Sequence, residues 1–239
     1  MSQWRRVLRD GYRAAVERSP LGRRICWRIA PAAGVALTFD DGPDPVHTPQ
    51  ILDLLAQNQA RATFFLLGEY VDRYPELVKR IVDEGHTVGN HTYSHLRCRD
   101  LDLPTLLRQI ERTDAALEAA IGTRLASLPI FRPPFGELRV SQALYLAATG
   151  RSLAFWNQDS RDYRNASGDE IAALGSRLKA GDVVLLHDRF PTTVEALPAM
   201  LEALRNSGLE AVALGSASNE QWLQETSPGP SLARRGAIH

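Results

Sequence analysis

Short apolar runs alternate along most of this chain with longer stretches in which apolar residues recur every three or four positions. The short runs, candidate strands, are Val35 to Phe39, Ala62 to Leu67, His86 to Gly89, Leu128 to Phe131, Leu153 to Trp156, Val183 to Leu186 and Leu209 to Leu214. Near-continuous apolar runs bounded by turn residues are what buried parallel strands look like. Helical spacing covers about 49–57, 70–83, 103–120, 139–149, 168–179 and 193–206. Strand and helix in turn, with short connections, mark βα units. The pattern predicts one α/β domain over 34–215, a distorted (β/α)7-type barrel that is TIM-barrel-like. A doubly wound open sheet is the alternative.

Outside that span the pattern changes. Residues 1–33 form a basic arm: eight arginines against Asp10 and Glu17 give residues 1–30 a charge of +6. Trp4, Val7, Leu8, Tyr12, Ala15 and Val16 lie on a roughly helical stripe within it. That stripe suits either an interfacial helix meeting an anionic membrane surface or a helix packed on the domain. Residues 216–239 read as a helical turn and flexible tail, mixing Pro, Gly and Ser with little apolar content.

Over all 239 residues, 28 basic side chains balance 28 acidic ones, so no global field argues for nucleic acid. The two cysteines, Cys26 and Cys98, lack the spacing of a zinc-thiolate or disulfide framework. No secretory signal pattern and no apolar run of membrane-spanning length is seen, which points to a cytoplasmic protein or one peripheral at the inner membrane face.

Unusual polar residues follow the strands. Asp40 and Asp41 end the first, Asn90, His91 and His95 follow the third, and Arg132 follows the fourth. Asp159 and Asp162 follow the fifth, and His187 and Asp188 the sixth. In a βα barrel these positions share one rim, where active sites form. Neighbouring residues on extended backbone point opposite ways, so Asp40 and Asp41 can hold different tasks. His91 and His95 are one helical turn apart and can face one point; with Asp41 they make a two-histidine, one-carboxylate set that leaves positions open for water and substrate. Surface or capping histidines explain the same spacing. Arg132 suits a bidentate pair with a carboxylate, and His187 suits a general acid near neutral pH. A solvated arginine and a structural histidine are the plainer readings.

Five segments, TFDDGP (38–43), HTYSH (91–95), RPPFG (132–136), DSRDY (159–163) and LLHD (185–188), resemble in order the motifs of the NodB-homology polysaccharide deacetylases of carbohydrate esterase family 4. The resemblance implies hydrolysis of an N-acetyl group on an amino sugar of a poly- or oligosaccharide. It implies Asp41, His91 and His95 as ligands of a divalent metal, most often Zn2+, with Co2+, Ni2+, Mn2+ or Fe2+ as alternatives. Asp40 would be the general base, oriented by Arg132; His187 would be the acid, held by Asp162. The Phe135 N–H would serve the oxyanion and Leu185 the acetyl methyl. Phe135 stands where the family usually has Tyr, and Tyr163 replaces the Trp that walls the sugar groove.

Three alternatives stay open at this point. An O-acetyl esterase acting on a polysaccharide such as xylan would use the same residues. A non-catalytic carbohydrate-binding barrel is another, although Asp40, Asp41, His91, His95, Arg132, Asp162 and His187 are all present. An iron(II) oxygenase also uses two histidines and a carboxylate, though usually in a different order.

Overall fold

The computed structural model describes residues 24–122 and 130–215. The arm's amphipathic stripe, the first residues of the strand expected at Leu128 and the tail beyond 215 lie outside them. Among the described residues the strands are β1 (Ile25–Cys26), β2 (Val35–Gly42), β3 (Thr63–Leu66), β4 (Thr87–Asn90), β5 (Leu153–Ala154), β6 (Gln158–Asp159), β7 (Val183–His187) and β8 (Ala211–Val212). The helices are α1 (His47–Gln57), α2 (Gly68–Arg73), α3 (Pro75–Asp83), α4 (Leu103–Ile121), α5 (Val140–Ala148), α6 (Gly168–Gly175) and α7 (Pro191–Asn206).

All strand pairs are parallel, and β2 is central, with β3 on one side and β7 on the other. The path runs β4-β3-β2-β7-β6, and β8 pairs with the first residues of β2. Bridges from Asn90 to Phe131 and from Phe131 to Leu153 carry the ladder on from β4 to β5, which pairs with β1. The result is an α/β distorted barrel. Ile25 and Cys26, placed by sequence in the basic arm, thus take part in the ladder, and Trp27 stacks on Phe155 at 4.1 Å.

Two elements differ from the sequence pattern, each because of proline. The expected strand ending at Phe131 is reduced to bridges there, because Pro133 and Pro134 offer no N–H to continue a ladder. The expected helix over 70–83 is two helices, because Pro75 excludes the helical region for Tyr74, which sits at φ −134° and ψ 54°.

Alternation in the strands separates two apolar layers. Val35, Leu37 and Phe39 of β2 join Phe64, Leu66, Val184 and Leu186 and the inner faces of the helices in one core. Ala36, Phe65 and Val183 face the other way and join Cys26, Ile29 and Ala154. Along that second face β2 continues as Thr38 and Asp40, and β7 as Leu185 and His187. The polar site therefore grows out of the upper end of a column that is apolar below. Both cysteines are buried free thiols; burial pushes each up to about 12, so they are inert at neutral pH. Among the described residues no helix is long and apolar enough to cross a membrane.

Candidate active site

Asp40 and Asp41 leave β2 by a bulge. The register with β3 slips between Asp40 and Gly42, and Asp41 has φ +75°. Simple alternation predicts opposite directions for the two carboxylates; the bulge instead turns both toward His91. The His91 Nε2 lies 3.8 Å from Asp40 Oδ2 and 3.5 Å from Asp41 Oδ1. Gly42 is required at the next position, since a Cβ there would lie 2.0 Å from Asp188 Oδ2.

The histidine pair also departs from expectation. Residues 91–95 are irregular rather than helical, with Thr92 at φ +69° and His95 at φ +54°. Convergence comes from that loop: Thr92 N–H donates to the Asn90 side-chain oxygen, and Tyr93 and Ser94 N–H donate to Gln109 Oε1. His95 Nε2 reaches 3.2 Å from Asp41 Oδ1.

Donor atoms of Asp41, His91 and His95 all lie within 4.8 Å of one another. They fit a divalent cation on two further grounds. Asp41 Oδ1 is buried and has no hydrogen-bond partner, as an oxygen awaiting a cation would be. His91 Nδ1 lies 2.7 Å from the Arg132 carbonyl oxygen; donating there keeps the Nε2 lone pair free. Burial alone would raise the Asp41 carboxyl, but the two imidazoles outweigh it and hold the group well below the usual carboxylate range. His95 is lowered by burial and by His91, so it too favours the neutral form that binds metals.

Arg132 is the largest fully buried side chain among the described residues. Its Nη1 donates to Asp40 Oδ1 and to Thr38 Oγ1, both at 2.7 Å, while Nη2 donates to Phe155 O and Nε to Ala154 O. The expected bidentate pair is therefore a single contact on one Asp40 oxygen, because the rest of the fork is occupied by main-chain carbonyls. Asp40 Oδ2 is left on the metal side.

Asp40 and His187 are register partners across β2 and β7. His187 Nδ1 lies 2.8 Å from Asp162 Oδ1, and Asp162 Oδ2 accepts from the His187 N–H at 2.7 Å and from Thr193 Oγ1 at 2.8 Å. Burial would lower this imidazole, but Asp162 and then Asp40 and Asp41 overcome it and lift it to about 9. Tyr163 stands beside it, ring centroids 5.3 Å apart, its hydroxyl donating to Asp159. On the opposite side, Phe135 lies 4.8 Å from the His95 ring and is half exposed. Leu185 is buried on β7 between Val184 and Leu186.

A polysaccharide deacetylase family model matches residues 29–153. The chain belongs to the polysaccharide deacetylase family. A peptidoglycan-N-acetylglucosamine deacetylase of Bacillus cereus is 38% identical over 190 residues, which are 77% of this chain and 68% of that protein. A chitooligosaccharide deacetylase of Bradyrhizobium sp. (strain ANU 289) is 35% identical over 209 residues, 79% of this chain and 92% of the relative. Among solved structures, a family 4 carbohydrate esterase from Streptomyces lividans in complex with acetate superposes with a TM-score of 0.70 at 38% identity, covering 75% of this chain and 91% of that one. Deacetylase activity on an acetylated sugar is therefore the activity of this chain, and the family's dependence on a metal agrees with the Asp-His-His donor set.

All ten residues given site roles from the sequence lie among the described residues, and Asp40, Asp41, His91, His95, Arg132, Asp162 and His187 form one connected cluster. Sequence reasoning passed over Thr38 and Thr193, and it placed Asp188 on the rim without giving it a role. Thr38 lies inside a motif segment and was open to notice; Thr193 stands in the first turn of α7, and only the fold brings it to Asp162.

Proposed function

We propose that this protein hydrolyses the N-acetyl group of an amino sugar within a poly- or oligosaccharide, with Asp41, His91 and His95 holding one Zn2+ ion. The relatives' named substrates, peptidoglycan N-acetylglucosamine and chitooligosaccharides, support that substrate class. The ion, when bound, supplies Lewis acidity toward a water and the acetyl carbonyl oxygen. Asp40 accepts the proton of the attacking water on the oxygen that Arg132 leaves free; Arg132 keeps the other oxygen fixed. The Phe135 N–H donates to the oxygen on which negative charge develops. As the carbon–nitrogen bond breaks, His187 gives a proton to the sugar nitrogen, so acetate and a free amine leave. Asp162 stabilises the imidazolium before that transfer. Leu185 lines the space for the methyl group, and Tyr163 forms one wall of the sugar groove.

The observation carrying this reading is the pairing of Asp40 with His187 across adjacent strands beside a three-donor corner. Asp40→Asn should abolish acetate release from an N-acetylglucosamine oligomer while zinc stays near one per chain. Retained turnover in that variant would remove Asp40 as the base. Chelator-stripped protein should be silent and recover on adding zinc.

A further inference from the structure

His91 and His95 are held in different ways. His91 is almost wholly buried, and its second nitrogen is tied to the Arg132 carbonyl at 2.7 Å. His95 is 29% exposed and sits in the left-handed region of an irregular segment, and among the described residues no hydrogen bond reaches its ring. What touches it instead is the Phe135 ring, at 4.8 Å and inclined by 56°. The Arg97 guanidinium covers Phe135 in turn, 4.3 Å from the ring centroid. Arg97 Nη1 is fixed by Glu137 Oε2 at 2.7 Å.

We propose that Phe135 and Arg97 are positioning residues for the metal: the layered contact of Arg97 on Phe135 on His95 takes the place of the missing hydrogen bond and sets how long the cation stays bound. This rests on the ligand set assigned above.

The physical case follows from the arrangement. An aromatic ring has a negative face and a positive edge; a guanidinium is attracted to the face, and an inclined neighbour ring meets it favourably. The Phe135 ring contacts both the His95 ring and the Arg97 guanidinium, so a movement of His95 away from that ring gives up the contact. Gly136, the next residue, has a left-handed φ and lies so close to Trp156 that a Cβ there would come within 2.7 Å of the ring. A guanidinium near a dication would ordinarily repel it, but Glu137 neutralises Arg97, so the stack supplies contact without net charge. Leu96 and Arg97 directly follow the histidine pair, so the same short segment carries both the ligand and its outer support. Partners outside the ligands commonly change metal affinity by about 10–100-fold.

The test measures zinc release from the full chain into a chromophoric chelator, alongside thermal melting of the zinc-free protein. Phe135→Leu should release zinc about tenfold faster and Arg97→Ala about threefold faster, with zinc-free melting unchanged, while Phe135→Tyr should match the wild type. Wild-type release in both Phe135→Leu and Arg97→Ala would overturn the proposal. An effect in Phe135→Leu without one in Arg97→Ala would also overturn it, since the outer layer would then contribute nothing. His91→Ala serves as the control: if it loses zinc while the stack variants do not, this inference fails alone. If it binds zinc as the wild type does, the ligand set itself fails.

Discussion

His91 follows β4 and His187 ends β7, with β3 and β2 between them, and the two imidazoles are held by opposite kinds of partner. In both, Nδ1 is anchored and Nε2 is left for function. The His91 partner is a carbonyl oxygen, which accepts the Nδ1 proton without bringing charge and leaves the Nε2 lone pair facing Asp41. The partner of His187 is a buried carboxylate, which favours the imidazolium and lifts the group to about 9. The difference teaches that the atom behind each histidine, not the histidine itself, separates the proposed metal ligand from the proposed proton donor. The backbone differs in step. His187 ends a regular strand paired along its length with β2, whereas His91 and His95 bound a loop bent by two left-handed residues, Thr92 and His95 itself.

Replacing the carboxylate behind His187 should break this contrast most severely. Asp162→Asn leaves a neutral partner, so kcat should fall by about a hundredfold or more. The alkaline limb of the pH–rate profile, near 9 in the wild type, should move down toward the ordinary histidine range. An unmoved limb would show that Asp162 does not set that acid. The sign for stability runs the same way: the raised His187 contributes fully below 6.5, and the contribution is lost as pH rises through about 9.

Thr193→Val keeps the carboxylate but removes one of its donors, and tests the contrast more gently. Weaker support for Asp162 makes it a stronger acceptor from His187, so the alkaline limb should move up, by less than about one pH unit, consistent with one lost hydrogen bond. A downward shift would mean that the hydroxyl chiefly orients Asp162.

The smallest effect concerns a carboxyl that neither histidine uses. Asp188 is fully buried, bonded to Thr48, and burial with the nearby Asp41 and Asp44 lifts it to about 7. Its bound proton favours the fold below its ordinary 3.8, and that contribution is lost as pH rises through about 7. Asp188→Asn should therefore melt a few degrees above the wild type at pH 8 and within about a degree of it at pH 5. Equal differences at both pH values would show that the group does not titrate in this range.

The order of elements was legible because buried parallel strands must be apolar, and Val35 to Phe39 and Val183 to Leu186 carry that requirement openly. The rim was legible for the same reason: polar residues had to begin where those runs stopped. What escaped was local backbone. Asp and His enter the left-handed region more readily than most non-glycine residues, but too rarely for their type to place it at Asp41 and His95, so the bulge and the loop that aim these side chains could not be read. The break at Tyr74 was signalled by Pro75 inside an amphipathic run. Contacts such as Thr193 to Asp162 span 31 positions and exist only once α7 has packed.

Arg132 joins the two halves of the site mechanically. Its carbonyl holds His91, the proposed ligand, while its guanidinium holds Asp40, and its N–H is tied to the Asn90 carbonyl beside His91. Any small drift of that segment carries His91 and Asp40 together, as two marks on one ruler. Thermal breathing at the rim then shifts the absolute position of the site more than the spacing on which the reaction depends.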